Sequence, residues 1–390
     1  MSTNTARFTC PIEGCNYDKI VTRDAAAAHW RRHGQTIATF PLQSQQGKRP
    51  GDENSLLWKT ILSHWNSLPA NHPQLPSGAA ILHFLSAKKT PIHLGLTSDI
   101  HQTFLIEPTK PHLNNDVLHT PMTTYNEVAP RSTIISSATG LLNPDLTRGH
   151  FFDSLVEMAS SPQTISHPDH LCAILNLQAS ETGLLSCLVR LPDSDKAIGM
   201  PKTTVPEFSC AYTPRGHITD IHIDSVYEAT ITTTLFGRKL LLQWPASDFN
   251  LRLLAPFHWR GNSWRLHSLY PQLEGLKLTL CDHGTVEYLP PGAFHAVIAL
   301  DNSAMMAYGI AHPNMLSDVA RIAKWELAHA KVLTAISDYE SGVHSILESH
   351  TNDIDIWIKL SNKALMRPFK DRIDELKATL EAARTELISN

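Results

Sequence analysis

The chain has 390 residues, of which 42% are hydrophobic and 18% are charged, a composition that supports two or three structural units. Its formal net charge of −4 at pH 7 excludes an overall attraction to nucleic acid or to an anionic membrane. No apolar run approaches the roughly 18 residues of a membrane span, and the N-terminal sequence Met-Ser-Thr-Asn-Thr has no apolar signal core, so we expect an intracellular protein without a membrane segment.

Two cysteines and two histidines near the N-terminus have the spacing of a zinc finger. Cys10 and Cys15 are followed by His29 and His33, which lie one helical turn apart. Two thiolates and two imidazoles in this order can close a tetrahedral zinc site. We therefore predict a Zn(II)-binding finger of the C2H2 type, with a small ββα fold, over residues 1–36.

The residues of this finger that would face DNA bases are poor at reading a sequence. Counting back from His29, the base-facing positions of the helix hold Thr22, Ala25 and Ala28. Alanine has no hydrogen-bonding group in its side chain, and the net charge of residues 1–33 is only +2, from five Lys/Arg and three Asp/Glu. We expect weak or no sequence-specific binding of nucleic acid by the finger.

Between the finger and the centre of the chain, the sequence indicates secondary structure less clearly. Residues 37–52 are polar and contain glycine and proline, which predicts a flexible linker. Residues 53–68 have the apolar pattern of an amphipathic helix, the first element of a mixed, partly helical extension over residues 53–145. A helix is predicted over 148–161, and 171–191 suit a helix or strand followed by a strand.

The centre of the chain carries the candidate chemistry, in the stretch Gly216-His-Ile-Thr-Asp-Ile-His-Ile-Asp224. Isoleucine at every other position predicts a strand, on which His222 and Asp224 point to the same face. A further histidine, His295, follows a Pro-Pro-Gly turn at the start of an apolar run. Two histidines and one carboxylate form the facial triad that holds Fe(II). Asp220 also shares the face of His222 and is an alternative carboxylate.

Three further features accompany this pattern in a fixed order along the chain. Thr219 precedes His222 by three residues, the run Leu235-Phe-Gly-Arg-Lys-Leu-Leu-Leu-Gln-Trp-Pro245 follows it, and Pro290-Pro-Gly-Ala-Phe-His295 comes last. In these motifs residues 145–312 resemble the JmjC family of Fe(II)- and 2-oxoglutarate-dependent oxygenases, and in particular its His-x-Asp members. The resemblance implies a mainly β domain over residues 146–314, folded as a double-stranded β-helix of the jelly-roll or cupin type.

The resemblance also implies how the co-substrate 2-oxoglutarate would be held. Lys239 falls where His-x-Asp members place the lysine for the distal carboxylate, and Thr219 where they place a hydroxyl. In a regular strand Thr219 and His222 would face opposite sides, so this role requires a β-bulge or a twist between them. Arg238 is the alternative cation.

A protein or peptide substrate follows from the same resemblance. Oxidation of a C–H bond would leave a hydroxylated side chain, or would remove the methyl group of an N-methyl-lysine, for example in a histone, which would place the protein in the nucleus. Two other hypotheses remain: a non-catalytic scaffold that binds chromatin or a partner, and a zinc-dependent cupin enzyme that would leave Lys239 and Thr219 without a role.

The C-terminal residues 315–390 change in character and predict a helical tail. Ile373, Leu376, Leu380, Ala383 and Leu387 recur with the a/d spacing of a short coiled-coil seam. Such a seam can pack on the chain's own catalytic domain, or it can form a homodimer through the C-terminal helices, and the pattern does not distinguish the two.

The zinc finger gives a first testable prediction. A peptide covering residues 1–36 should fold only when Zn(II) is added, because structural zinc supplies the folding free energy of so small a unit. Circular dichroism during a Zn(II) titration measures this. A peptide that is already folded without metal would exclude the site, and tight sequence-specific duplex binding would contradict the argument from Ala25 and Ala28.

Overall fold

The structure of the protein is a computed structural model. It describes residues 5–9, 15–16, 18–22, 28–29, 32, 50–95, 107–108, 133–136, 172–179, 189–190, 200–201, 208–256, 268–311, 315–330, 347–355, 357–358, 367 and 369–388. The predicted helix at 148–161 and residues 37–49 of the predicted linker lie outside these ranges.

The N-terminal segment forms an antiparallel hairpin. Strand β1 (Thr5–Thr9) pairs with β2 (Asp18–Thr22), with Thr5 opposite Thr22 and Thr9 opposite Asp18. Residues 28–29 and 32 are helical. A hairpin followed by helical residues is the order of elements that the ββα prediction requires, although the fold of the complete finger is not described.

Two helices and a short strand follow, and both helices differ from the prediction. Helix α1 (Pro50–Asn66) begins three residues before the predicted start at Glu53, because proline is well suited to the first position of a helix. Helix α2 (Leu75–Ala87), which also has a proline in its first turn, was not predicted within the proline-rich extension. The expected strand-like run is present as β3 (Ile92–Leu94).

The central part of the chain is rich in strands, and the C-terminal part is helical. The strands are β4 (Glu107–Pro108), β5 (Thr133–Ser136), β6 (Cys172–Ala179), β7 (Val189–Arg190), β8 (Met200–Pro201), β9 (Phe208–Thr213), β10 (Ile218–His222), β11 (Ala229–Phe236), β12 (Lys239–Trp244), β13 (Lys277–Cys281), β14 (Val286–Leu289), β15 (Phe294–Ala299) and β16 (Ser303–Ala311). The helices are α3 (Asp248–Leu254), α4 (Leu316–Ala330) and α5 (Lys370–Ile388). Within the described ranges, no helix has both the length and the apolar character needed to cross a membrane.

The fold is mixed α/β and contains two mostly antiparallel sheets. The small sheet has five strands in the order β10-β15-β12-β13-β3, in which only the β13–β3 pair is parallel. The large sheet has seven strands, in the order β14-β11-β16-β9-β6-β5, with β8 paired to β16. From β9 to β16 the chain passes repeatedly between the two sheets, so that residues distant in sequence become neighbours.

Each sheet has one face covered by helices and one face turned toward the other sheet. The outer face of the small sheet packs with α1, α2 and α3 in one apolar core, which includes Trp65, Leu82 and Trp244. The outer face of the large sheet packs with α4, α5 and residues 347–358 in a second core. The inner faces meet at Leu241, Cys281 and Val297 of the small sheet and Leu289 of the large sheet. The extension and the tail therefore share cores with the strands, and the boundaries drawn at 146 and 315 do not separate independent cores.

The C-terminal seam packs on the chain itself. Ile373, Leu376, Leu380 and Ala383 are all buried in the core against the large sheet. Of the two alternatives, self-packing is therefore the one that the structure shows for these four residues. A homodimer through the C-terminal helices stays a prediction, and it would have to use another face.

Packing of the seam predicts a specific loss of stability. Leu376→Ala should lower the free energy of unfolding by about 2–5 kcal/mol, the range measured for buried leucines, because it leaves a cavity between α5 and the sheet. Glu375→Ala, at the neighbouring exposed position, is the matched control and should change it by less than about 0.5 kcal/mol. Urea denaturation measures both, and equal effects would contradict the burial of the seam.

Candidate metal centre

A β-bulge in strand β10 determines which of its side chains face the interior between the sheets. Thr219 lies opposite Val297 of β15, and His222 lies opposite His295, with a shift of register between these two pairs. Because residues opposite each other in a sheet share a face, Thr219 and His222 both point toward the inner face. The bulge that the role of Thr219 required is therefore present.

The structure brings together the three residues that the sequence proposed as ligands. Nε2 of His222 lies 3.2 Å from Oδ1 of Asp224, and Nε2 of His295 lies 3.6 Å from the same oxygen. One ligand atom from each residue lies within 4.8 Å of the other two. The His295 side chain is 5% exposed and that of Asp224 is 34% exposed, so the cluster is deep at His295 and open at Asp224.

A hydrogen bond to the backbone orients His222 for coordination. Its Nδ1 lies 2.8 Å from the carbonyl oxygen of Asp220, which can only accept, so Nδ1 carries the proton. In the neutral ring Nε2 then has the lone pair that a metal would take, on the side of Asp224 and His295, the arrangement typical of histidine ligands. Burial lowers the pKa of His222, but the hydrogen bond and charge of Asp224 outweigh it and raise that pKa, which favours a proton on Nε2 that a bound metal would displace. The carboxylate of Asp220 accepts a hydrogen bond from the amide of Ile221 and is not part of the cluster.

The electrostatics of the cluster suit a cation. Burial alone would raise the pKa of Asp224, but the positive charge that His295 gains at low pH and the hydrogen bond from His222 outweigh it and hold that pKa well below its ordinary value. Burial lowers the pKa of His295 to about 4 and exceeds the opposing effect of Asp224. At neutral pH the cluster therefore offers an ionised carboxylate and a neutral imidazole at His295, the forms that bind metals.

The register of the small sheet arranges its inner face in rows. His222, His295, Gln243 and Lys277 lie side by side on β10, β15, β12 and β13 and form the metal row. Four residues farther along β12, Lys239 lies between Ala299 and Cys281. At about 3.3 Å per residue the two rows are about 13 Å apart along the sheet. The row containing Thr219 and Leu241 lies between them.

Lys239 is a buried cation for which the described part of the chain provides no counter-charge. Its side chain is 2% exposed, and among the described residues it has neither an ion pair nor a side-chain hydrogen bond. Burial lowers the pKa of Lys239 to about 8, and the neighbouring thiol of Cys281 opposes this only weakly. An unpaired buried ammonium is unfavourable by itself and becomes favourable when an anion binds beside it.

Arg238, the alternative cation, is already paired. Its guanidinium donates two hydrogen bonds to Asp301, at 2.5 and 3.0 Å. Asp301 also lies 2.8 Å from Nε2 of His64 on α1, which joins that helix to the sheet. Arg238 therefore contributes to structural attachment, and Lys239 is the better candidate for an anion site.

Two residues near the cluster were not predicted. Thr230 on β11 of the large sheet forms a hydrogen bond to Asp224, which helps to keep the carboxylate ionised. Gln243 lies next to His295 on the inner face, and its amide nitrogen donates to the carbonyl of Tyr288 at 3.4 Å. Both have the period-two spacing of inward-facing residues, but a single sequence does not show which positions oppose the ligands.

Half of the proposed zinc site lies in the described residues. Sγ of Cys15 is 3.4 Å from Nε2 of His29, which is buried. Ligands at zinc bond lengths of 2.0–2.3 Å in a tetrahedron lie about 3.5 Å apart, so this pair fits a shared ion. Cys10 and His33 lie outside the described residues.

Comparison with known proteins does not identify a family. No protein-family model and no curated protein matches the chain. Among solved structures, Peruvianin-I, a cysteine peptidase from Thevetia peruviana latex, is similar with 11% sequence identity and a TM-score of 0.20, over 27% of this chain and 50% of that one. A likeness of this size carries no inference about fold or function.

The geometry of the cluster leads to a prediction about metal binding. His222→Ala, Asp224→Ala and His295→Ala should each remove most of the bound divalent metal, since each takes away one of three ligands, while the fold is retained. Asp220→Asn is the matched control, because it keeps the backbone carbonyl that orients His222, and it should bind metal like the wild type. Metal content after dialysis measures this, and unchanged occupancy in all three alanine variants would contradict the assignment.

Proposed function

We propose that the protein is an Fe(II)- and 2-oxoglutarate-dependent oxygenase built on a double-stranded β-helix. The observation that carries the proposal is the pairing of a His-Asp-His cluster with an unpaired, buried lysine on the same inner face. The strand order supports the fold, because β9 to β16 divide into the four-strand sets β14-β11-β16-β9 and β10-β15-β12-β13. A jelly roll is expected to alternate eight strands between two facing sheets, so this order supports the proposed fold.

His222, Asp224 and His295 would hold the iron, and their donor set fits it. Two neutral imidazoles and one carboxylate are the ligands of non-haem Fe(II) oxygenases, in which three coordination positions stay open. When bound, iron would support the oxidation of a substrate C–H bond by dioxygen, in which 2-oxoglutarate supplies the other two electrons and leaves as succinate and carbon dioxide. The contribution of the chain is to fix His222 and His295 on a rigid sheet, to bring Asp224 to them from the loop after β10, and, through the carbonyl of Asp220, to orient His222.

Lys239 and Thr219 would bind the distal carboxylate of the co-substrate. The ammonium of Lys239 would supply a charge-assisted hydrogen bond at a buried position, and the hydroxyl of Thr219 can donate a second one. Both residues lie on the inner face, on the same side of the metal row. A dicarboxylate that reaches from the metal toward Lys239 would satisfy the buried charge.

The substrate would approach from the side of Asp224. That side chain is about one-third exposed, whereas His295 and Lys239 are closed off by the sheets. We propose a protein or peptide substrate, which is hydroxylated or, if it is an N-methyl-lysine, demethylated, with a histone in the nucleus as one such substrate. The N-terminal residues Cys10, Cys15, His29 and His33 would hold Zn(II).

The role of Lys239 gives the experiment that tests the proposal. Lys239→Met replaces the ammonium by an apolar chain of similar length, which avoids a cavity. We expect 2-oxoglutarate affinity to fall about ten- to hundredfold, since a charged hydrogen bond contributes about 1.5–3 kcal/mol, with iron content unchanged. Arg238→Met removes the neighbouring cation, which is paired with Asp301, and should leave this affinity unchanged. Calorimetry on oxygen-free, Fe(II)-loaded protein measures both variants.

The dependence of this affinity on pH provides a second measurement. Because the free protein's Lys239 has a pKa of about 8, and only the ammonium binds a carboxylate well, affinity should be level below pH 8. Above that pH it should fall by up to about tenfold per pH unit in the wild type and more weakly in Lys239→Met. If iron-loaded wild type binds no 2-oxoglutarate, the oxygenase proposal is wrong and the scaffold hypothesis takes its place. Equal affinities in wild type and Lys239→Met would instead reject the role of that lysine.

A further inference from the structure

The segment that carries Asp224 is attached to the C-terminal helices by hydrogen bonds. This ligand loop, residues 223–228, contains Tyr227, which is 2% exposed. The hydroxyl of Tyr227 lies 2.5 Å from Nδ1 of His350, and its carbonyl accepts a hydrogen bond from the indole nitrogen of Trp357 at 3.0 Å. Tyr227 is thus held at both its side chain and its backbone by residues more than a hundred positions away.

The second contact of His350 indicates which group donates in its hydrogen bond with Tyr227. Nε2 of His350 lies 3.3 Å from a carboxylate oxygen of Glu326 on α4, and His350 is 3% exposed. If Nε2 donates to Glu326, then Nδ1 is the acceptor and the hydroxyl of Tyr227 is the donor. The three side chains form one chain of hydrogen bonds from α4, through residues 347–355, to the ligand loop.

The segment that precedes His295 is attached to the same helices. In this ligand turn, residues 290–293, Gly292 donates its amide to the carbonyl of Ser225 in the ligand loop at 3.0 Å. Gly292 has a φ of +68°, and a Cβ at this position would lie 2.7 Å from Cδ1 of Ile322 on α4. The turn therefore touches α4 directly, and only glycine allows both its backbone conformation and this close approach.

From these contacts we infer that Tyr227 is a positioning residue for the metal centre, through which the C-terminal helices set the location of Asp224 relative to His295. The ligand loop and the ligand turn are bonded to each other through Ser225 and Gly292, and both rest on helices that contribute no ligand. The inference rests on the proposed metal site. If it holds, the geometry of the site also depends on the helical residues that cover the outer face of the large sheet.

Simple packing of a core would also bury Tyr227, so the two interpretations must differ in a measurable quantity. If the tyrosine only adds stability, its hydroxyl can be removed without a change in metal affinity at a temperature where the protein is fully folded. If it positions Asp224, metal affinity and ligand geometry change under those same conditions. Removal of a residue that orients a metal ligand, without itself binding the metal, typically weakens metal affinity by about 10–100-fold.

The experiment is a Co(II) titration of the full-length protein, followed by the visible absorption spectrum of the bound metal. Tyr227→Phe should weaken Co(II) binding about tenfold and alter the spectrum, because the ligand loop loses its bond to His350. Tyr212→Phe is the matched control, since it removes a hydroxyl that is equally buried in the same core, but on β9, which carries no ligand. It should lower the melting temperature and leave affinity and spectrum unchanged.

Each outcome separates the hypotheses. Wild-type affinity and spectrum in Tyr227→Phe, or the same loss in both variants, would overturn the positioning role. A wild type that binds no Co(II) would reject the metal centre itself, which is the failure of the proposed function rather than of this inference. If Tyr227→Phe does not fold, Trp357→Phe takes its place: it removes the bond to the carbonyl of Tyr227 together with part of a buried ring, and its Co(II) affinity and spectrum are again compared with those of Tyr212→Phe.

Discussion

The register of the small sheet is the constraint on which the candidate site depends. Side chains alternate between two faces with a period of two, so a shift by one residue would exchange the apolar outer face for the polar inner one. The bulge between Thr219 and His222 uses this property locally, because it turns two residues at an odd spacing to the same side. Packing of the outer face against α1 and α2 then prevents the strands from slipping, since Leu240, Leu242 and Ile298 have no other apolar surface to cover them.

The inner face combines groups that would be unfavourable in an ordinary core. Lys239 is buried without a counter-charge, and Thr279 and Gln243 each have a buried oxygen without a hydrogen-bond partner among the described residues. Groups of this kind lower stability unless a ligand satisfies them. Lys239, Thr279 and Gln243 lie on the inner face that also carries His295, and the buried charge of Lys239 is what distinguishes the space between the sheets from an ordinary core.

The sequence predicts those parts of this arrangement that depend on neighbours along the chain. His222 and the strand that ends at it follow from alternation, and His295 follows from its turn and its apolar run. The prediction that the strand also bears Asp224 is wrong, because β10 ends at His222 and Asp224 lies in the loop that follows. What could not be predicted depends on the other layers: α2 was hidden by prolines that begin a helix, and the support of Tyr227 comes from His350. Hydrophobic periodicity located the seam of α5, but only the structure shows that the large sheet covers it.

The attachment of Tyr227 affects the order in which parts of the protein fold. The hydroxyl of Tyr227 and its partner His350 are separated by 123 positions, and its carbonyl and Trp357 by 130. Contacts over such distances form late, because the loop that they close must first lose its conformational entropy. During synthesis, His222, Asp224 and His295 leave the ribosome well before the helices that support their loop. The metal centre is therefore completed only after the tail has packed on the large sheet, and a chain whose tail is not yet folded would bind metal more weakly than the whole protein.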